Sequence, residues 1–296
     1  NFHAPVADSL ELEWSGAGPE RLWRKLLGLG YSSIAVVDGR LYTMDRADDV
    51  ERIVSLSAED GELLWAFSYD APHLEEMRTG YGTGPHGTPL VVDARVFATG
   101  TTGKLHALSA KDGELLWMKD LWGELEGTLL VRGYATSPIA YKDTVIVTVG
   151  GEGRGLVAFD AATGEERWRG STFDNSQSSP VLVNVGTAEA PDTILVAFAN
   201  DEIVAADPEN GSTLWRVEHK SGAAYNITTP VFDSERKHLF VSSAYGGGTR
   251  GLAISREKAE ELWHTGRMKV QYTNIVLVDG YLYGTSGNVG TVILTG

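Results

Sequence analysis

Six loops of the chain carry polar and aromatic side chains that could together bind a ligand. The loops are GYSS (30–33), GTGPHGTP (82–89), GYATSP (133–138), NSQSSP (175–180), AYNITTP (224–230) and VQYTNI (270–275). Their candidate binding residues are Tyr31, His86, Tyr134, Gln177, Tyr225, Asn226, Tyr272 and Asn274. Aromatic faces stack on flat groups and amides form hydrogen bonds, so this set suits a neutral ligand such as a sugar or a peptide segment.

Catalytic groups are scarce in the same loops. They are poor in Asp and Glu, with Asp174 the nearest acid. The chain has no cysteine, which excludes disulfides, thiolate catalysis and cysteine-based zinc sites. Its seven histidines include no H-x-x-x-H pair. The sequence therefore predicts neither a catalytic residue nor a metal site.

The loops belong to a repeat that is clearest around tryptophan. The aligned copies are SLSAEDGELLW (55–65), ALSAKDGELLW (107–117), AFDAATGEERW (158–168), AADPENGSTLW (205–215) and AISREKAEELW (253–263). Their final residues, Trp65, Trp117, Trp168, Trp215 and Trp263, follow one another at spacings of 52, 51, 47 and 48. A period of this length is typical of propellers and other repeat architectures.

Each unit contains four short apolar runs joined by turns. In the third unit they are SPIAY (137–141), TVIVTV (144–149), LVAFD (156–160) and ERWRG (166–170), and β-branched residues are frequent. The prediction is one four-stranded antiparallel blade per unit, with the six loops leading into the innermost strands around a central funnel. The helix-forming stretch 256–263 is assigned to a turn and a strand by its place in the repeat.

The repeated motif has an evident structural chemistry. Asp160 can accept backbone N–H groups across its turn, and Gly164 supplies a left-handed backbone position. The five repeat tryptophans are predicted to dock each blade on its neighbour. The fifth copy has Ala259 where the other copies have glycine, so its turn must differ or carry strain.

Net charge limits the partners of the chain. Its 296 residues carry a formal charge of −15, which repels phosphate backbones and argues against nucleic acid. No run approaches the roughly 18 apolar residues of a membrane span. The opening NFHAPVADSL lacks the basic and apolar segments of a signal peptide.

The motif resembles the Ala-x-Asp-x-x-Thr-Gly-x-x-x-Trp repeat of PQQ-like (quinoprotein-type) β-propeller proteins. The match is closest at Ala158, Asp160, Thr163, Gly164 and Trp168. Residues 13–44 and 276–287 are similar to segments of the propeller-repeat proteins found in planctomycetes. The resemblance implies an all-β, quinoprotein-like propeller of four-stranded antiparallel blades, with six blade units visible here and an eight-bladed parent.

Two accounts of the blade number are open. In the first, residues 1–296 form a single propeller domain that lacks one or more C-terminal blades. In the second, the segment around Trp23 completes the sixth blade by pairing with residues 291–296 and closes a six-bladed ring, which removes the exposed sheet edge. We favour the first account because the resemblance implies further blades.

Two functions from different classes remain open. The first is a non-catalytic propeller, periplasmic or otherwise extracytoplasmic and similar to BamB-type assembly proteins, that binds a protein partner or a neutral small molecule through its funnel without a cofactor. The second is a PQQ-dependent alcohol or sugar dehydrogenase, which would need a calcium ion held by carboxylates. The acid-poor loops and the lack of the adjacent cysteines common in that family favour the first function.

Overall fold

A computed structural model describes residues 16, 18–80, 82–222, 225–286 and 291–295, the last segment by its backbone only. The described residues form 23 β-strands in six sheets and no helix, so none of them belongs to a helix able to cross a membrane. The all-β prediction is confirmed. Stretch 256–263 is indeed a turn followed by a strand.

The first three sheets, called blades 1 to 3, have four strands each. Blade 1 contains β1 (Ala35–Val37), β2 (Arg40–Ala47), β3 (Val50–Ser57) and β4 (Leu63–Asp70). Blade 2 contains β5 (Leu90–Val92), β6 (Arg95–Thr99), β7 (Lys104–Ser109) and β8 (Leu115–Asp120). Blade 3 contains β9 (Ile139–Tyr141), β10 (Thr144–Thr148), β11 (Leu156–Asp160) and β12 (Glu166–Gly170).

The remaining sheets are blades 4 to 6. Blade 4 contains β13 (Val181–Asn184), β14 (Thr193–Phe198), β15 (Glu202–Ala206) and β16 (Thr213–Glu218). Blade 5 contains β17 (Val231–Asp233), β18 (His238–Ser243), β19 (Gly248–Ile254) and β20 (Ala259–Thr265). Blade 6 contains β21 (Val276–Val278), β22 (Tyr281–Ser286) and β23 (Thr291–Thr295).

Every blade is an antiparallel meander in which consecutive strands are neighbours. The strand order within a blade therefore follows the chain, as the four apolar runs of each repeat predict. In blade 6, β23 pairs with β22, and the described residues around Trp23 form no strand beside it. The pairing that would close a six-bladed ring is thus not found in the described part of the chain.

The hydrophobic core lies between the blades rather than within them. Five clusters of buried side chains each join two consecutive sheets. One example brings Ile53 of blade 1 against Val96 and Leu108 of blade 2. Because each four-stranded sheet buries its faces only against its neighbours, the blades stabilise one another in sequence.

The motif forms the turn between the third and fourth strands of a blade. In blade 3, the Asp160 carboxylate accepts the backbone N–H groups of Ala162 (2.9 Å) and Thr163 (2.8 Å). In blade 5 the turn is shorter: the Ser255 N–H donates directly to the Lys258 C=O at 2.9 Å, and Ala259 already belongs to β20. The turn without glycine therefore differs in length and needs no left-handed residue.

Candidate functional site

The eight predicted binding residues lie in the segments that lead into the first strand of each blade. Because the strands are antiparallel, these segments share one end of the sheets with the loops between the second and third strands. Backbone contacts join the two sets: the Tyr134 N–H donates to the Thr101 C=O at 2.8 Å. We call this end the funnel face and the opposite end, which carries the motif turns, the motif face.

Tyr31 and His86 form an aromatic pair on the funnel face. Their ring centroids are 5.5 Å apart with an interplanar angle of 10°. The loop around Gly82 passes close to this pair, since a Cβ there would lie 2.7 Å from the Tyr31 hydroxyl. Burial lowers the pKa of His86 below its ordinary value, so the imidazole is neutral near pH 7. The pair offers a flat, uncharged stacking surface.

A second aromatic group lies between blades 4 and 6. Tyr225 packs edge-on against Tyr245, with centroids 6.1 Å apart, and the Gln271 amide donates to the Tyr245 hydroxyl at 2.5 Å. Tyr245 is 46% exposed and Tyr272 is 61% exposed. Sequence reasoning missed Tyr245 and Gln271; Tyr245 belongs to the β18–β19 loop, which the repeat alignment did not connect with the funnel.

Gln177 and Asn274 lie at contacts between neighbouring blades. The Gln177 N–H donates to the Asn226 C=O at 3.1 Å. The Asn274 side-chain oxygen accepts the Thr229 N–H at 2.9 Å. Both residues therefore connect consecutive segments of the funnel face.

Tyr134 and Asn226 are buried, with no exposed surface. The Tyr134 hydroxyl donates to the Thr148 C=O at 2.7 Å, and burial raises its pKa to about 12. The Asn226 amide donates to the carbonyls of Ala199 (2.7 Å) and Asn200 (2.9 Å). These two side chains hold the loops in place and are not accessible to a ligand.

Residues that precede the prolines of the funnel-face loops form a ladder of hydrogen bonds that sequence reasoning did not identify. The Ser137 hydroxyl accepts the Thr88 N–H, and the Ser179 hydroxyl accepts the Ser137 N–H, each at 2.9 Å. The only sequence signal is that a Ser or Thr stands before proline in four of the six loops. Hydroxyls that the sequence offers as possible ligand contacts thus join one blade to the next.

The buried charges near this face are already paired. Arg46 and Glu51, both fully buried, form an ion pair at 3.2 Å, and Glu51 also accepts the Tyr69 hydroxyl at 2.7 Å. Burial beside Glu51 raises the Tyr69 pKa well above its ordinary value. Within the described ranges, no three His, Asp or Glu side chains are grouped as the ligands of a metal ion would be. The donors in this part of the chain therefore do not form the carboxylate-rich site that a calcium ion beside PQQ would need.

On the motif face, the repeat tryptophans lie between blades. Trp65, Trp117 and Trp215 are buried, whereas Trp168 and Trp263 are half-buried. The Trp65 indole N–H donates to the Ala110 C=O of the next blade at 3.1 Å. Its ring covers Gly113, where an added Cβ would lie 2.6 Å from the indole.

The fold defines the class of protein, a quinoprotein-type β-propeller. BamB from Moraxella catarrhalis superposes with a TM-score of 0.60 and 17% identity, covering 92% of this chain and 74% of that one. A europium-containing methanol dehydrogenase superposes with a TM-score of 0.59 and 13% identity, covering 89% of this chain and 68% of the other. At these identities the likenesses show the fold alone.

The sequence assigns the family. Residues 51–295 match the family model described as "Outer membrane protein assembly factor BamB", and the chain belongs to that family. BamB of Shewanella oneidensis is 24% identical over 252 residues, covering 81% of this chain and 58% of that protein. The quinohemoprotein alcohol dehydrogenase ADH-IIG of Pseudomonas putida is 29% identical over 194 residues, covering 60% of this chain but 24% of the dehydrogenase. The chain thus spans only part of each relative's length.

Proposed function

We propose that this chain is a non-catalytic, extracytoplasmic propeller that binds a protein partner through its funnel face. Membership of the family named for outer membrane protein assembly carries the proposal. In that role its partner is a protein of an outer membrane assembly apparatus, and the chain works in the periplasm.

The chemistry of the funnel face supports a protein ligand. Its accessible groups are aromatic rings with polar ends, in particular Tyr225, Tyr245 and Tyr272, while the buried carboxylate of Glu51 is already paired. Tyrosine is enriched at protein–protein interfaces because one ring offers a large apolar surface and a hydrogen-bonding hydroxyl. A polypeptide segment offers apolar groups for the ring face and backbone groups for hydrogen bonds to the hydroxyl.

Site-specific photo-crosslinking in cells tests the proposal. A photoreactive phenylalanine at position 245 or 272 is expected to give a crosslinked product that contains an assembly protein of the outer membrane. The same residue at position 59 of the motif face is the matched control and should give no such product. Crosslinks from position 59 alone would contradict the proposed surface.

Tyr245→Ala combined with Tyr272→Ala should weaken binding of the identified partner by at least about 30-fold, as the loss of two interface aromatics does. Tyr281→Ala is the control, since Tyr281 is 52% exposed but belongs to β22 rather than to the funnel loops. Equal effects of the double variant and the control would reject the funnel face as the binding surface.

A PQQ-dependent alcohol or sugar dehydrogenase is the second candidate, favoured by the 29% identity to ADH-IIG. The described residues do not fit a calcium-bound quinone, so we expect no calcium-dependent PQQ binding tighter than micromolar. The test adds PQQ and calcium and follows dye reduction with alcohols and aldoses. Turnover that a chelator abolishes would replace the proposed function with this one.

A further inference from the structure

A crevice of about 190 Å³ opens between blades 3 and 4 on the motif face. Its walls are Tyr141, Lys142, Asp143, Thr144, Arg167, Trp168, Pro208 and Glu209. None of these residues belongs to the funnel face. The crevice is large enough for a single side chain or a short piece of backbone, and too small for a folded element.

One wall of the crevice presents a hydrogen-bond donor that three of its equivalents use internally. The indole N–H groups of Trp65, Trp117 and Trp215 each donate to a backbone carbonyl of the following blade, at 3.0–3.2 Å. Among the described residues, the Trp168 N–H has no acceptor. Its ring still covers Gly211 of blade 4, where an added Cβ would lie 2.5 Å from the indole. The tryptophan is therefore docked, yet it is half-buried and lines the crevice. Its N–H is not among the buried polar atoms that lack a partner, so a ligand in the crevice can reach it.

The motif turns of blades 3 and 4 are held differently. In blade 3, the Ala161 N–H donates to the Asp143 C=O at 2.9 Å and fixes the motif turn against the two-residue turn between β9 and β10. Pro208 is the corresponding residue of blade 4 and has no N–H to donate. In that blade the loop of residues 185–192 replaces the two-residue turn. The motif turn of blade 4 thus lacks the bond that positions the acceptor carbonyl in blade 3.

The charged groups of the crevice neutralise one another. Lys142 is paired with Glu209, which also accepts the Tyr141 hydroxyl at 2.8 Å. Arg167 lies 3.5 Å from Asp143. Arg167 also pairs with Asp160, at 2.5 Å. Both cations of the crevice are thus already engaged by carboxylates and do not attract an anion, so the crevice favours a neutral ligand with both a donor and an acceptor.

From this geometry we infer that the crevice binds a carboxamide group of a protein partner. The carboxamide oxygen accepts the Trp168 N–H at the edge of the indole, and its nitrogen donates to the Glu209 carboxylate. A carboxylate retains acceptor capacity beyond one or two hydrogen bonds, so Glu209 can receive a further donor. Asparagine or glutamine side chains and the peptide backbone share this chemistry.

Indole proton spectra of the ¹⁵N-labelled chain test the inference directly. The Trp168 resonance, assigned by its loss in Trp168→Phe, is expected to exchange with deuterium at least tenfold faster than that of Trp117. The probe is acetyl-Gly-Gln-Gly-N-methylamide, whose only primary carboxamide is the glutamine side chain. It should shift the Trp168 resonance and the Thr144 backbone amide in a saturable way, with a dissociation constant on the order of millimolar for so small a ligand.

Acetyl-Gly-Gly-Gly-N-methylamide, which has backbone amides but no primary carboxamide, separates the two sources of the group. A weaker shift with this peptide than with the glutamine peptide assigns the site to side-chain amides, and an equal shift assigns it to backbone. Trp168→Phe should abolish the Thr144 shift, whereas the matched variant Trp215→Phe should leave it unchanged. An unmoved Trp168 resonance at 50 mM peptide, or an equal response to glucose or acetate, overturns the inference.

Discussion

Two junctions between neighbouring blades use the same motif but differ in how deeply the tryptophan is buried and whether its N–H has an acceptor. Between blades 2 and 3, Trp117 is 9% exposed, covers Gly164 and donates to the Ala161 C=O at 3.2 Å. Between blades 3 and 4, Trp168 also covers Gly211, but it is half-buried and lines an open crevice. The first junction is closed and the second is open.

The comparison separates two parts of the motif. The glycine admits the indole, because any side chain there would overlap the ring, and this part works at both junctions. The backbone carbonyl that receives the N–H depends on how the next turn is held, which differs between Ala161 and Pro208. One motif can therefore serve either as a sealed contact or as a binding edge.

Replacing the tryptophans at the two junctions should give the largest losses of stability. Trp117→Ala should lower the free energy of unfolding by about 3–5 kcal/mol, as expected for a large buried aromatic that leaves a cavity. Trp168→Ala, at the open junction, should cost roughly 1–3 kcal/mol. Urea unfolding followed by circular dichroism measures both. Equal losses would mean that the two junctions are energetically the same.

Adding a methyl group beneath an indole should have the next largest effect. Gly113 has φ +76° and lies under Trp65, so Gly113→Ala combines left-handed strain with overpacking and should cost about 2–4 kcal/mol. Gly39 has nearly the same φ, +73°, but open space around it. Gly39→Ala is therefore the matched control, and only the strain of about 1–2 kcal/mol should remain. Similar losses at both positions would remove the indole contact from the explanation.

Low pH should destabilise the motif turn of blade 3 in particular. The hydrogen bond from Arg167, together with those from Thr163 and Ala162, lowers the pKa of Asp160 to about 2. Because its folded pKa lies below the ordinary value of 3.8, Asp160 contributes stability above that value, and the contribution is lost as pH falls towards 2. Unfolding curves from pH 5 to pH 2 should fall less steeply for Asp160→Asn. An unchanged slope would show that the carboxylate contributes nothing specific.

The smallest effect on stability is expected from Pro208→Ala, which should change the free energy of unfolding by less than about 1 kcal/mol. The new N–H gives blade 4 the donor that Ala161 supplies in blade 3. We expect the Trp168 indole proton to exchange more slowly and the peptide-induced shift to shrink. Exchange as fast as in the parent chain would show that the long 185–192 loop, not the proline, keeps the junction open.

The blade architecture could be predicted because the same turn motif and the same apolar runs recur in each repeat. The turn of blade 3 illustrates this: Asp160, Gly164 and Trp168 have fixed local roles, and the strands at 144–148 and 156–160 follow the apolar runs. The candidate site was harder to predict. Tyr245 lies in a loop with no recurring motif, yet it packs against Tyr225.

The sequence by itself determined the all-β class, the repeat length, the position of each motif turn and the presence of polar residues ahead of each first strand. Only the tertiary structure decided which of these residues reach the surface. Tyr31 and Tyr134 occupy equivalent places in the repeat, but one is 61% exposed and the other is buried against Thr148. The physical reason is that burial depends on what the neighbouring blade brings to the contact, and residues distant in sequence supply that surface.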